Sequence, residues 1–351
     1  MNYSIGKILP TDTASLSAID QLLIDEGIRR DRHLDYTCAM FDDEMNIIAT
    51  GSCYNNTLRC LTVSHEHQGE GLMNQIVTHL INIQMEQGNN HLFLYTKYCS
   101  AKFFSSLGFQ EIVRIPNQIV FMENKRNGFQ HYLTKLQSAI KKTQSLSPKI
   151  AALVMNCNPF TLGHQYLIEK AAAENDLVHL FILSEDCSFF PYEVRKKLIQ
   201  AGIAHLSNVV LHDSDSYIIS QATFPSYFQK DEDAVIQSHI AIDLQIFTRI
   251  AATLGIQRRY VGDEPFSHVT QIYNQAMQQK LPEHGIECII VNRKTIDGRA
   301  ISASNVRQAI QQKNWRLIKS LVPQSTFDFL MSDKATPIIK KIQQSKEVTH
   351  Y

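Results

Sequence analysis

The amino-acid sequence predicts an α/β protein in which a small α/β domain precedes a doubly wound parallel sheet. Its 351 residues exceed the length of an ordinary single domain, so we expect at least two domains. Apolar residues make up 44% of the chain, which is enough to build hydrophobic cores. From residue 149 onward, short apolar runs alternate with helical patterns, and this alternation is typical of parallel sheets with right-handed crossovers.

The charge balance and the cysteines narrow the classes of function. Lysine plus arginine equals aspartate plus glutamate at 34 each, so the composition gives no electrostatic reason to expect nucleic acid or a membrane as partner. The seven cysteines are dispersed without a C-x-x-C pair, which argues against a zinc site and a disulfide framework. No signal peptide or apolar run of roughly 20 residues is evident, so we expect a cytoplasmic protein.

The first 123 residues show the element order of a small α/β domain. Apolar residues recur at helical spacing over 14–28 and over 72–86. The remaining apolar runs are predicted strands, separated by polar turns or by a glycine-containing loop. The predicted strands are YSIGKI, YTCAMF, IIATGSC, LRCLTV, HLFLYT and NQIVFME, with a short helix and turn in SAKFFSSLGF before the last.

Residues 124–148 are polar and basic, and they mark the predicted boundary between the domains. Apolar side chains still fall on one helical face from Phe129 to Ile140, so we predict a connecting helix and then a linker. An ordinary surface helix within one domain explains the same pattern. We place the domains at 1–123 and 149–335, followed by a C-terminal tail over 336–351.

The second half of the chain predicts a Rossmann-like, doubly wound sheet. We expect strands in KIAALVMN, LVHLFILS, NVVLHD, RRYVGD and IECIIVNR. Between them we expect helices from about residue 164, over YEVRKKLIQAGIAHL, over about 234–254 and over 268–279. In such sheets ligands bind beyond the carboxyl ends of the strands.

The sequence NCNPFTLGH follows the first of these strands and opens a helix. The first turn of a helix has free backbone N–H groups and the positive end of the helix dipole, so it suits phosphate. Gly163 removes a side chain where the backbone must approach a ligand, and His164 adds an imidazole donor. Taken alone, His164 would more often be a capping or surface histidine.

The pattern Thr161-x-Gly163-His164 resembles the T/H-x-G-H signature of the nucleotidyltransferase superfamily. The stretch ISASNVR, 301–307, resembles the second signature of that superfamily, I-S-x-(S/T)-x-x-R. Alone, its serines would more often be helix caps and its arginine a solvated side chain.

The resemblance implies a site for ATP with Mg²⁺ and no protein metal site. It places Thr161 and His164 on the α- and β-phosphates, and Ser302, Ser304 and Arg307 on the β- and γ-phosphates. It places Gly262 and Asp263 near the base or ribose. The residues expected to complete the nucleotide site are Asn156, Asn158, Phe160 and Gly163.

Two stretches of the first half resemble the GNAT acetyltransferase fold. HEHQGEG is similar to its Q/R-x-x-G-x-G/A pyrophosphate loop, and AKFFSSLGF to its A-x-x-F-Y-x-x-x-G-F stretch. Glu66 stands where the loop has Gln or Arg, and Phe104 stands where the fold often has a tyrosine acid. We therefore expect the fold without independent acetyltransferase catalysis. The domain either stabilises and docks or holds a pantetheine arm.

The two domains in this order resemble the citrate lyase ligase family. The stretches that carry the likeness are MNCNPFTLGHQYLIEKAA, SYIISQATFPSYF, YVGDEPF and ISASNVRQAI. The resemblance implies that ATP and acetate acetylate a thiol, with release of AMP and pyrophosphate. It also implies that the thiol belongs to a phosphoribosyl dephospho-coenzyme A on the citrate lyase acyl carrier protein. The alternatives are a cofactor-building enzyme of the phosphopantetheine adenylyltransferase type and a non-catalytic nucleotide or CoA sensor.

Two further segments carry hypotheses. The stretch 216–228 is rich in aromatic and small hydroxyl residues, and we expect it to help form an acetate pocket, with Phe224 as a residue to test. An ordinary packed excursion is equally compatible with its sequence. Tyr192, Arg195 and Lys196 are candidates for phosphate contact, although a basic helix face explains them more simply.

Overall fold

A computed structural model describes residues 3–139, 147–184, 188–218, 224, 232–263, 268–296 and 298–348. The chain divides into two compact units. The first comprises 1–131 and 224–242, and the second comprises 132–223 and 243–351. The units thus differ from the predicted boundaries, because 224–242 groups with the first unit. No helix in the described part of the chain is long and apolar enough to cross a membrane.

The first unit contains a seven-stranded sheet in the order β1-β2-β3-β4-β5-β7-β6. Neighbouring strands are antiparallel except for β4 and β5, whose parallel pairing comprises only two register pairs, Thr57 with Phe93 and Leu58 with Leu94. The strands are β1 (Ser4–Lys7), β2 (Tyr36–Phe41), β3 (Ile47–Tyr54), β4 (Thr57–Val63), β5 (Phe93–Lys97), β6 (Gln110–Ile115) and β7 (Ile119–Glu123).

Three helices accompany this sheet: α1 (Thr13–Asp25), α2 (Leu72–Glu86) and α3 (Ala101–Ser106). Helix α2 buries Leu72, Ile76, Val77 and Leu80, as the helical spacing predicts. It lies so close to β3 that a Cβ on Gly51 would be 2.6 Å from Ile76 Cγ2. A glycine is therefore needed in β3 for the helix to pack. Helix α4 (Gly128–Ser138) follows at the predicted connecting helix.

The second unit contains a five-stranded parallel sheet in the order β10-β9-β8-β11-β12. This order confirms the predicted Rossmann-like, doubly wound fold. The strand order reverses between β8 and β11, which makes their carboxyl ends the topological switch point of the sheet. The strands are β8 (Ile150–Met155), β9 (Leu177–Ile182), β10 (Val209–Asp213), β11 (Arg258–Gly262) and β12 (Glu287–Val291).

Eight more α-helices and a two-stranded hairpin follow in the described part of the chain. The helices are α5 (Leu162–Glu174), α6 (Tyr192–Gly202), α7 (Glu232–Leu254), α8 (His268–Lys280), α9 (Ala303–Gln311), α10 (Trp315–Leu321), α11 (Gln324–Leu330) and α12 (Thr336–Gln344). The hairpin consists of β13 (Thr295–Ile296) and β14 (Arg299–Ala300). The predicted boundaries of α5, α7 and α8 agree with these to within two residues.

The core of the second unit lies between the parallel sheet and its helices. It includes Leu153 of β8, Ile168 of α5, Val306 of α9 and Ile342 of α12, all fully buried. The segment 336–351 was expected to be a tail. It instead contains a helix that packs into the core, because Ile338 and Ile342 form an apolar stripe at i and i+4.

Candidate functional site

The predicted nucleotide site begins where β8 ends and α5 starts. Thr161 is the N-cap of α5, and its Oγ1 accepts the His164 backbone N–H at 3.3 Å. The Thr161 backbone N–H in turn donates to Nδ1 of the His164 ring at 3.1 Å. A backbone N–H can only donate, so Nδ1 is the accepting nitrogen and the neutral ring carries its hydrogen on Nε2.

Electrostatics keep the His164 ring neutral. Burial, followed by the positive charges of Arg293 and Arg307, lowers its pKa from 6.5 to about 4. The Phe160 ring stacks on the imidazole with centroids 6.0 Å apart and an interplanar angle of 15°, which restricts the ring orientation. At neutral pH, His164 therefore presents an oriented N–H donor and not a positive charge.

The two asparagines of the 156–161 loop are bonded to the segment 188–190. The Asn156 carboxamide and the Ser188 hydroxyl lie within 3.2 Å of each other. The Phe190 backbone N–H donates to Asn158 Oδ1 at 3.0 Å, which fixes the orientation of that amide. The opposite side of the amide, Nδ2, is buried without a hydrogen-bond partner among the residues that the structure describes.

Arg195 also supports this loop. Its guanidinium is fully buried and donates to the carbonyl oxygens of Asn156, Leu183 and Phe190 at 2.8–2.9 Å. The prediction of an exposed basic helix face is therefore wrong for Arg195, because three buried carbonyl groups need its donors. Tyr192 and Lys196 both bond to Asp213.

The second predicted motif meets the first at Gly163. A Cβ on Gly163 would lie 2.9 Å from the Ile301 carbonyl oxygen, so the two backbones can approach only at a glycine. Ser302 is the N-cap of α9 and accepts the Asn305 N–H at 3.1 Å. Ser304 Oγ accepts a hydrogen bond from Arg307 at 3.2 Å. The structure thus brings the two motifs together, and their phosphate contacts stay a prediction.

Arg307 lies inside the unit. Its side chain is 2% exposed and donates to the carbonyl oxygens of Asn158 and Val348. Burial lowers its pKa to about 10, so the guanidinium stays charged at neutral pH. The idea of a solvated arginine is wrong, because its stem packs in the core and its head holds backbone carbonyls of two distant segments.

Arg293 is a basic residue of this site that the sequence reasoning missed. It follows β12 and donates through Nε to the Asp263 carbonyl oxygen at 2.7 Å. The Asp263 N–H donates to Val291 O at 2.8 Å, and Gly262 O accepts from Asn274 at 3.2 Å. The signal was present, because Arg293 follows an apolar strand at the same sheet edge as the predicted residues.

The described residues hold no cluster of three or more His, Cys, Asp or Glu side chains with the geometry of a metal site.

The predicted pyrophosphate loop of the first unit has a different environment. Gly69 and Gly71 adopt φ values of +92° and +76°, and α2 starts directly after them. Glu26 accepts the His65 backbone N–H at 2.7 Å and the Gln68 amide at 3.2 Å. Carboxylates at this loop would repel a bound anion, which agrees with the expectation that the domain lacks acetyltransferase catalysis. That expectation stays a prediction.

Two further expectations concern aromatic side chains. Phe104 is 5% exposed and belongs to the core of the first unit.

Of the expected acetate segment 216–228, only 216–218 and Phe224 are described. Phe224 is buried in the first unit, with ring centroids 5.4 Å from Tyr95 and 4.7 Å from His239. This packing makes Phe224 a core residue, so it no longer serves as a test of an acetate pocket.

Comparisons with known proteins give consistent results. A family model described as the citrate lyase ligase C-terminal domain matches residues 150–330. A citrate (pro-3S)-lyase ligase from Klebsiella pneumoniae is 41% identical over 293 residues, 82% of this chain and 84% of that protein. One from Escherichia coli strain K12 is 36% identical over 337 residues, 94% of each chain.

Solved structures also share similarity with part of the chain. A GNAT-family acetyltransferase from Staphylococcus aureus Mu50 is 16% identical, with a TM-score of 0.30 over 35% of this chain and 100% of that one. The ribosomal-protein-S18-alanine N-acetyltransferase from Escherichia coli is 17% identical, with a TM-score of 0.28 over 35% of this chain and 92% of that one.

Proposed function

Because the chain belongs to the citrate lyase ligase family, we propose that it activates acetate with ATP and acetylates the citrate lyase acyl carrier protein. The acceptor is the thiol of the carrier's phosphoribosyl dephospho-coenzyme A. The observation that carries the proposal is the neutral His164 ring at the start of α5, at the switch point of the sheet. It is oriented by Thr161 and lies close enough to two arginines for their charges to lower its pKa.

In the first half-reaction, an acetate oxygen attacks the α-phosphorus of ATP and the bond to pyrophosphate breaks. The His164 Nε2–H and the free N–H groups of the first turn of α5 would donate to phosphate oxygens. Arg293 would add positive charge as the pyrophosphate leaves. Mg²⁺ that enters with ATP would offset further negative charge. The products are acetyl-adenylate and pyrophosphate.

In the second half-reaction, the carrier's sulfur attacks the acetyl carbonyl carbon. The bond between that carbon and the phosphate oxygen breaks, and AMP leaves with the electron pair while the thiol proton is lost. The contribution of the chain to this step is positional, since holding the thiol and the acyl-adenylate together removes most of the entropic cost of their encounter. We assign no base for the thiol proton.

The test is ATP–pyrophosphate exchange with and without acetate, measured on the full chain and on His164→Asn. Asparagine can still accept the Thr161 N–H, which preserves the start of α5 but removes the Nε2 donor. We expect exchange that requires acetate and falls about 100-fold or more in His164→Asn. His205→Asn is the matched control, because His205 is an exposed histidine of the same unit that bonds to Glu169 on the surface.

The other outcomes identify the alternatives. Exchange that ignores acetate and depends on phosphopantetheine would indicate a cofactor-building adenylyltransferase. Saturable ATP binding without exchange would indicate a nucleotide sensor. Equal activity of His164→Asn and His205→Asn would remove His164 from the reaction.

A further inference from the structure

The second unit contains a cavity lined in part by Phe189, the middle residue of the segment 188–190 that bonds to the loop asparagines. Its volume is about 440 Å³, within the range of small-molecule sites. One wall is the buried Phe189 ring, and the opposite wall is formed by α12 and the residue after it. The lining residues are Phe189, Pro337, Lys340, Lys341, Gln344 and Ser345.

The cavity is positively charged. Lys340 and Lys341 are exposed, and within the described part of the chain neither ammonium pairs with a carboxylate. Lys341 Nζ lies 5.8 Å from the centroid of the Phe189 ring, a cation–π distance that holds this charge over the cavity wall. The segment 303–348 carries eight Lys or Arg residues against three Asp or Glu, although the whole chain is balanced. An anionic ligand would be favoured at this cavity.

The walls of the cavity also hold the predicted nucleotide loop. Phe189 lies between Ser188, which bonds to Asn156, and Phe190, which donates to Asn158. On the other wall, Ser345 O accepts the Gln311 side-chain amide of α9 at 2.8 Å. The cavity is therefore linked to the loop of the proposed nucleotide site through the neighbours of Phe189 in the chain.

We propose that this cavity binds the phosphate-bearing, nucleotide-like end of the thiol acceptor, an inference that rests on the proposed function. Lysine ammonium groups suit phosphate oxygens as compact charges. The Phe189 wall, Gln344 and Ser345 offer an apolar surface and polar partners for a base or sugar. ATP has its own predicted phosphate donors at α5, so this cavity would take the second substrate.

The test uses dephospho-CoA as the probe and calorimetry on the full chain, with the ATP site first filled by an ATP analogue that cannot release pyrophosphate. The variant is Lys340→Gln with Lys341→Gln, which removes both charges and keeps good helix formers. The control is Lys319→Gln with Lys334→Gln. Lys319 also lies 5.8 Å over a phenylalanine ring, that of Phe327, but neither control residue lines the cavity.

We expect the Kd of dephospho-CoA to rise at least tenfold in the cavity variant and at most twofold in the control. Pantetheine, which has no phosphate, should bind at least tenfold more weakly than dephospho-CoA and respond to neither pair of substitutions. An unchanged Kd in the cavity variant, equal effects in both pairs, or no binding to the wild-type chain would overturn the proposal. Urea unfolding followed by Trp315 fluorescence checks that each variant is folded.

Failure of this proposal is distinguishable from failure of the proposed function. Acetate-dependent ATP–pyrophosphate exchange in the wild-type chain tests the function without any acceptor. If exchange occurs but the lysines have no effect on dephospho-CoA, only the cavity assignment is lost. If dephospho-CoA binds through the lysines but exchange is absent, the function is lost and the binding site remains.

Discussion

Two loops in this chain leave a strand and start a helix, with a glycine at or next to the helix start, but they lie among opposite charges. The 64–71 loop of the first unit is bonded to Glu26 and includes Glu66 and Glu70. His164, in the first turn of the helix that follows the 156–161 loop, lies within the electrostatic influence of Arg293 and Arg307. A helix N-terminus follows each loop, so the helix dipole favours an anion at both.

The difference shows that backbone geometry alone does not make an anion site. In the first loop a carboxylate of the chain accepts a backbone N–H, so a second anion would meet repulsion. After the second loop, His164 is kept neutral as a donor. Of the two arginines near it, Arg307 is buried and bonded to backbone carbonyls, so Arg293 is the positive charge that we propose for a substrate. The glycines differ too, because Gly71 permits a left-handed turn while Gly163 permits two backbones to approach.

The largest expected effect is a loss of stability of the second unit in acid. Burial lowers the pKa of His164 and of His212 to about 4 and that of His179 to about 3, from 6.5. Between pH 6.5 and 4 the unfolded chain therefore binds more protons than the folded chain. The contribution of these histidines to the free energy of unfolding is fully present above pH 6.5. It falls as the pH drops, by about 1.4 kcal/mol per pH unit for each histidine.

Trp315 makes this measurable, because it is the single tryptophan and lies in α10 of the second unit. Urea unfolding followed by its fluorescence at pH 7, 6 and 5 should show a falling midpoint. A midpoint that does not change over this range would contradict neutral, buried histidines in that unit.

Arg293→Gln tests whether positive charge distinguishes the two loops. We expect acetate-dependent exchange to fall by about 100-fold to 1,000-fold, the usual cost of removing one donor to a developing negative charge. The control is Arg316→Gln, an exposed arginine of the same unit. Equal rates in the two variants would show that the charge near His164 has no part in the reaction.

Replacing the glycine at the start of α2 or of α5 by alanine should have different consequences. In Gly163→Ala the new Cβ meets the Ile301 carbonyl at 2.9 Å, and this backbone oxygen cannot move cheaply. The strain of about 1–3 kcal/mol outweighs the better helix propensity of alanine, and we expect exchange to fall about tenfold. Gly71→Ala strains a left-handed residue by about 1–2 kcal/mol but meets no atom within 4 Å, so exchange should persist.

The smallest expected effect comes from neutralising the first loop. Glu26→Gln keeps an oxygen that can accept the His65 N–H, and Glu66→Gln changes an exposed side chain. Since the 64–71 loop has no part in acetate activation in our proposal, exchange should stay within about twofold of the wild-type rate in both variants. A loss comparable to that of Arg293→Gln would show that both loops serve the first half-reaction.

The sequence predicts those features that depend on local patterns. The alternation of strands and helices identified the parallel sheet, and Thr161 with His164 marked the start of α5. The carbonyl partners of Arg195, Arg293 and Arg307 could not be predicted in this way, because they belong to segments far away in the sequence. A charged side chain is normally expected at the surface, and only the folded chain shows which buried carbonyls need it.

Likewise, nothing in the local pattern of 224–242 indicates that it groups with the first unit. Phe224 suggested a pocket because aromatic residues are common at binding sites, whereas its actual partners, Tyr95 and His239, lie far away in the sequence. The apolar residues of α12 recur at i and i+4 in the sequence, but a stripe of two residues is too short to predict a buried helix.

The bond from Arg307 to the Val348 carbonyl has a consequence for how mutations at that position should be interpreted. The guanidinium uses the backbone of residue 348 and not its side chain, so most substitutions there leave the bond intact. Removal of residues 345–348 would instead delete the Val348 carbonyl oxygen, which lies 41 positions after Arg307 in the sequence. The buried Nε–H of Arg307 would then lose its acceptor. Point mutants of the exposed Lys346 and Glu347 would score as tolerant, whereas a series of truncations would score the same stretch as essential.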